Sequence, residues 1–230
     1  MNASDAEVLE VFARLNSYSV KVTPAELRHA EFSEPVKWAI YEAAREWSVL
    51  WSELKVVSTR DTVRLKHTTL IAEMFIALDR GLGDGGETQI TRYYKAKKSE
   101  GDEYFLTLRD HLDRTISQII EHTKDDFSET TFFDAPNFLI LFSAVAFLNG
   151  YLPNSKVTEG VNQFSGRGVD WDRAAVNLAT LAQALDDDSE EQGQHSQFVA
   201  ATKSTTHRIS SRKVRFEAVV RAISRDVAGA

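Results

Sequence analysis

The sequence has no cysteine, and only four prolines, two methionines and eleven glycines in 230 residues. Without cysteine there is no disulfide framework, no thiolate metal site and no cysteine nucleophile. That usage suits a reducing compartment, so a cytoplasmic location is expected. Scarce glycine and proline exclude a collagen or a low-complexity linker. A long hydrophobic run is missing too: the most apolar stretch, Phe138 to Leu148, is 11 residues, well short of the roughly 20 that span a bilayer. The opening Met1 to Glu7 is acidic and lacks the basic and apolar regions of a signal peptide. No membrane partner is expected.

What is present is a chain with 43% hydrophobic and 27% charged residues, rich enough in Phe, Leu, Ile and Val to bury a core. The net charge of −7 is unevenly spread. The last thirty positions hold seven basic and two acidic residues, which makes them +5 and leaves −12 for residues 1–200. Such asymmetry suits either an anionic partner for the tail or a basic helix lying on the acidic body of its own chain.

Helical periodicity dominates. Ser4 opens a first helix through Val8, Leu9, Val11, Phe12 and Leu15. Thr23-Pro24-Ala25-Glu26 combines an N-cap Thr, Pro at N1 and Glu at N3, which predicts a capping box and a short helix to about Phe32. After Pro35, Val36, Ile40, Ala43, Trp47, Leu50, Trp51 and Leu54 form one apolar stripe. A further helix is expected from Arg60 to Arg80, with Val63, Leu70, Ile71, Met74 and Leu78 on its inner face, ending at Gly81. Others are expected at Asp102–His122, at Phe138–Leu148, behind an Asp170 cap, and at Ser210–Val227. Extended pieces reduce to Val20–Val22 and Lys55–Val57. The expected fold is therefore all-α, a multi-helix bundle with minor short extended segments.

Catalytic signatures are sparse. Gly81-Leu82-Gly83-Asp84-Gly85-Gly86 follows a helix and is followed by Glu87, not by Lys-Ser or Lys-Thr, so it reads as a turn and not as a phosphate loop. The six histidines form no HExxH pattern, no GxSxG is present, and the acidic run Asp186–Glu191 reads as a solvated linker. No catalytic residue and no metal ligand is assigned. In the tail, Lys203, Arg208, Arg212, Lys213 and Arg215 are the residues available for contact with nucleic acid, and the spacing of Arg208, Arg212 and Arg215 gives them one helix face.

Phe12-Ala13-Arg14-Leu15-Asn16, followed by Glu26-Leu27-Arg28-His29-Ala30, resembles a segment of a family that includes the GmrSD type IV restriction enzymes, whose N-terminal domain is ParB-like. Its pattern is Phe-x-x-x-Asn before "Leu…Glu-Leu-Arg-Asn-Ala"; this chain departs by offering Ser19 and Val22 where Gly and Leu are usual. Ala72-Glu73-Met74-Phe75, the Asp84-Gly85-Gly86 turn before Tyr93-Tyr94-Lys95, and His207…Arg212-Lys213-Val214-Arg215-Phe216 fit the same family.

The resemblance implies that complete members bind and hydrolyse a nucleoside triphosphate and act on foreign DNA in phage defence. It also implies nucleotide-binding roles for Phe12 and Asn16. The family's catalytic Asp-Gly-Gln-Gln-Arg is absent, and only eleven residues precede Phe12. The chain thus reads as the helical part of a larger protein or a truncated relative. On that reading it needs no cofactor by itself, and its partners are DNA and a ParB-like catalytic half. The expected organisation is a motif segment at 1–32, a helical bundle at 33–186, and an acidic linker with a basic C-terminal helix at 187–230. The competing expectation is a standalone helical protein-interaction module with no nucleic-acid role.

Overall fold

A computed structural model describes residues 21–127, 130–186, 195–203 and 205–225. Among them the fold is all-α, with an isolated antiparallel bridge, Val169 to Ser224, as its extended pairing. The first expected helix, with Phe12 and Asn16, and the acidic run beyond Asp186 lie outside the described residues, as does Val20.

Helix α1 (Pro24–Glu31) begins with the capping box its sequence predicts. Glu26 N–H donates to Thr23 Oγ1 at 3.2 Å, and Thr23 N–H donates to Glu26 Oε2 at 2.6 Å. The stripe after Pro35 does not run through as one helix. It divides into α2 (Pro35–Glu46) and α3 (Val49–Ser52), because Trp47 leaves helical geometry and its indole N–H donates to Asp113 Oδ1 at 2.6 Å. The expected Arg60–Arg80 helix divides likewise into α4 (Thr59–Val63) and α5 (Lys66–Arg80). Leu65 between them sits in the left-handed region at φ 57°, and Val63 points outward, 75% exposed, instead of joining the inner face. Gly81, at φ 80°, ends α5 as expected.

Helix α6 (Glu87–Ala96) follows the glycine-rich turn without a sequence-based expectation, and α7 (Asp102–Phe127) runs five residues past the predicted His122. After a 3₁₀ turn at Thr131–Phe133 comes α8 (Ala135–Leu148), buried from Asn137 to Leu148. Its all-round apolar surface suits the centre of a bundle, not a stripe facing one neighbour. It packs against α5, α7 and the last helix. Each buried Phe or Leu there contributes about 1.5–3 kcal/mol relative to exposure.

A second 3₁₀ turn, Glu159–Phe164, precedes α9 (Trp171–Asp186), which Asp170 caps by accepting Arg173 N–H at 3.1 Å. Helix α10 (Ser196–Lys203) follows without a sequence-based expectation. Helix α11 (Ile209–Ile223) closes the described chain, packed on α8, α9 and α10. Lys55–Val57 forms no strand.

Candidate functional site

A polar network gathers around the turn between α5 and α6. Glu73, on α5, uses Oε1 to accept the Gly86 N–H at 3.0 Å and Arg212 Nη2 at 2.8 Å. Arg212 Nη1 donates onward to the Gly83 carbonyl at 3.1 Å. The exchange runs both ways. Gly85 N–H donates to the His207 carbonyl at 2.8 Å, and Asp84 Oδ1 accepts the Ile209 N–H at 2.8 Å, serving an otherwise unpaired donor at the start of α11.

Gly85 is required by this arrangement: a Cβ there would stand 2.1 Å from Arg212 Nη2 and 2.2 Å from Glu73 Oε1. On the near side, Arg28 of α1 is 3% exposed, donates to Glu87 and to Thr69 Oγ1 (3.0 Å), and lies 5.8 Å from the centre of the Tyr94 ring. Glu73, Gly85, Gly86 and Arg212 come from three separated stretches of sequence, and the fold brings them into one clasp, whose edge Arg28 reaches through Glu87, the residue after Gly86.

The Arg212–Glu73 pair is the wall shared by two clefts. The first, about 370 Å³, lies between α5, α6, the start of α11 and the loop at Ser155–Lys156. Its lining charges are Arg80, Arg92, Lys156 and Arg212 against Glu73 and Asp84. The second, about 310 Å³, carries Asp61, Glu73 and Glu87 against Lys66 and Arg212, over a floor including Val56 and Leu70. One cleft is thus cationic on balance and the other slightly acidic.

The tail residues divide by position. Arg208 and Lys203 are exposed. Lys213 is half-buried, with Glu159 Oε2 at 3.5 Å and Glu217 Oε1 at 4.0 Å. Arg212 and Arg215 are 6% and 1% exposed, which corrects the expectation that they join Arg208 on a surface-facing basic stripe. Arg215 donates to the Pro136 carbonyl at 3.2 Å, to Asn137 Oδ1 at 3.3 Å and to the Thr206 carbonyl. Among the described residues no carboxylate pairs with it. Burial, aided by the neighbouring Arg212 charge, lowers its pKa to about 10, so it stays protonated at neutral pH. These two arginines tie α11 to α5 and to the start of α8.

The residues that line the cationic cleft, Arg80, Arg92 and Lys156, were not singled out in the sequence. Arg80 and Lys156 lie 76 positions apart, and the three follow no motif; the fold joins them.

Other polar and aromatic groups pack elsewhere in the fold. Lys97 Nζ stands 3.1 Å from Asp79 Oδ2, and the Tyr104 hydroxyl bridges Lys97 and Asp79. Burial first, then Asp79, raises the Tyr104 pKa. His111 stacks on Tyr151 at 4.2 Å and His122 on Trp171 at 4.4 Å. His67 is buried 5.0 Å from the Trp51 ring, and burial lowers its pKa. Among the described residues no group of three or more His, Asp or Glu side chains is placed to hold a metal ion, and no helix is long and apolar enough to cross a membrane.

Comparison with protein-family models, with curated proteins and with solved structures finds no match.

Proposed function

We propose that this chain is a non-catalytic helical domain of a GmrSD-like DNA restriction and phage-defence system, where it supports nucleotide or nucleic-acid binding beside a ParB-like catalytic half. One observation carries the reading. The stretches around Glu73, Gly85-Gly86 and Arg212, which resemble that family separately in the sequence, meet in a single clasp between two clefts, and Arg28 of a fourth such stretch pairs with Glu87 beside it. A match spread over the chain for packing alone has no need to converge on a polar wall.

The test is size-exclusion chromatography with light scattering on the purified chain, alone and with a separately expressed ParB-like half, followed by DNA binding across a salt series. A stable complex whose DNA affinity falls steeply with salt is the expected result. Absence of both association and low-salt DNA binding would remove the reading.

A second reading rests on its own observation. Trp38 and Leu106 are 43% and 65% exposed beside a groove floored by Phe105, and exposed apolar patches commonly mark protein contacts. A standalone interaction module would lose its partner on Trp38→Ala, whereas the nucleotide-supporting domain would keep nucleotide or DNA binding.

A further inference from the structure

The cationic cleft is built, not incidental. Gly81 lets the loop at Pro153–Ser155 close over the turn: a Cβ there would lie 2.8 Å from the Pro153 carbonyl and 2.9 Å from Ser155 Cβ. Ser155 Oγ then donates to the Leu82 carbonyl at 2.8 Å, which sets Lys156 at the rim. Across from it, the Arg80 guanidinium rests 5.1 Å from the centre of the Tyr93 ring, and Arg92 precedes that tyrosine on α6. Arg92 and Lys156 are exposed and form no ion pair among the described residues, and Arg80 reaches only the partly shared Asp79 at 3.3 Å. Ile76, Leu82 and Ile209 add apolar surface to the same cleft.

We infer that this cleft binds a phosphate-bearing small molecule of nucleotide size, its phosphate held by Arg80, Arg92 and Lys156 and its organic part on the Ile76–Leu82–Ile209 wall. A chain of net charge −7 repels anions overall, so a pocket with a cationic surplus concentrates them selectively. Arginine presents a planar fork that fits phosphate oxygens in pairs, and lysine adds a point charge. The volume of about 370 Å³ falls in the range of small-molecule sites and is too small for a duplex. The inference deepens the proposed function and rests on it only in the choice of a nucleotide over another phosphate ester; the phosphate preference follows from the cleft itself.

Isothermal titration calorimetry on the full chain at low salt tests this. The titrants are adenosine and guanosine triphosphates, the matching nucleosides, a hexose phosphate, inorganic phosphate and a 20-base-pair duplex. The expected result is at least one nucleotide binding ten-fold or more tighter than its nucleoside. That affinity should fall ten-fold or more in the Arg92→Glu, Lys156→Glu double variant and stay within two-fold in Arg45→Glu, a charge reversal on the exposed side of α2. Equal affinity for nucleoside and nucleotide, or an unchanged double variant with native circular dichroism, would overturn the assignment. So would a duplex that binds through Arg92 and Lys156 when no small phosphate does. A hexose phosphate that binds tighter than any nucleotide, with the same dependence on the two cations, keeps the phosphate site and counts against the defence reading. Nucleotide binding with these dependences, but no association with a ParB-like half, separates the two in the same way.

Discussion

Arg212 and Arg92 carry the same guanidinium and line the same cleft, yet they do opposite work. Arg212 is 6% exposed and spends its donors on Glu73, Gly83 and Thr206. Arg92 is exposed and has no ion-pair partner among the described residues. The first is a strut whose charge the protein has already neutralised. The second is a charge left over. Basic content alone therefore misdirects a reading of where an anion would bind: the +5 tail contributes its two central arginines to the interior, and the cationic cleft draws three of its four cations from the −12 body.

Loss of the strut should produce the largest effect. Arg212→Ala leaves Glu73, whose side chain is 15% exposed, without its cation and empties the space against Gly85. Removing one member of a buried pair costs about 3–5 kcal/mol, and urea unfolding should show a loss of that size. Next in size is Arg215→Ala, which strips hydrogen bonds from Pro136, Asn137 and Thr206. A loss of about 3 kcal/mol is expected, given roughly 1.5–3 kcal/mol for a buried bond to a charged group.

A smaller effect comes from pH. His67 and His29 both have pKa values held below the ordinary 6.5, chiefly by burial. The unfolded chain takes up these protons first, so stability should fall as pH drops through 6.5 and the fall should level off below the folded values. His67→Phe, keeping the contact with Trp51, should flatten that slope. Glu26 acts in the same direction but in a more acid window. The Arg64 side chain, then the Thr23 backbone, lower its pKa from 4.5 to about 2, so its contribution is complete above 4.5 and disappears as pH falls toward 2. Smallest of all, Lys213→Ala and Arg92→Ala should each change stability by no more than about 0.5 kcal/mol, as surface charges usually do.

The sequence exposes whatever repeats locally. The capping box at Thr23, the stop at Gly81, the cap at Asp170 and the buried run from Phe138 are local patterns, and each holds. The break at Leu65 was hidden because Leu is a good helix former and nothing nearby advertises a left-handed residue. The interior position of Arg212 and Arg215 was hidden for a different reason. Arginine is normally a surface residue, and the groups that admit these two, Glu73 and Asn137, lie 139 and 78 residues away. The clasp was legible as fragments, and its assembly was not. The cationic cleft left no trace in the sequence because its three rim residues share no spacing.

The division between strut and free charge is tested most directly by one urea titration run on Arg212→Ala and Arg92→Ala side by side. Arg212→Ala should lose about 3–5 kcal/mol while Arg92→Ala stays within about 0.5 kcal/mol of the parent. Two variants that both unfold at the parent's midpoint would contradict it.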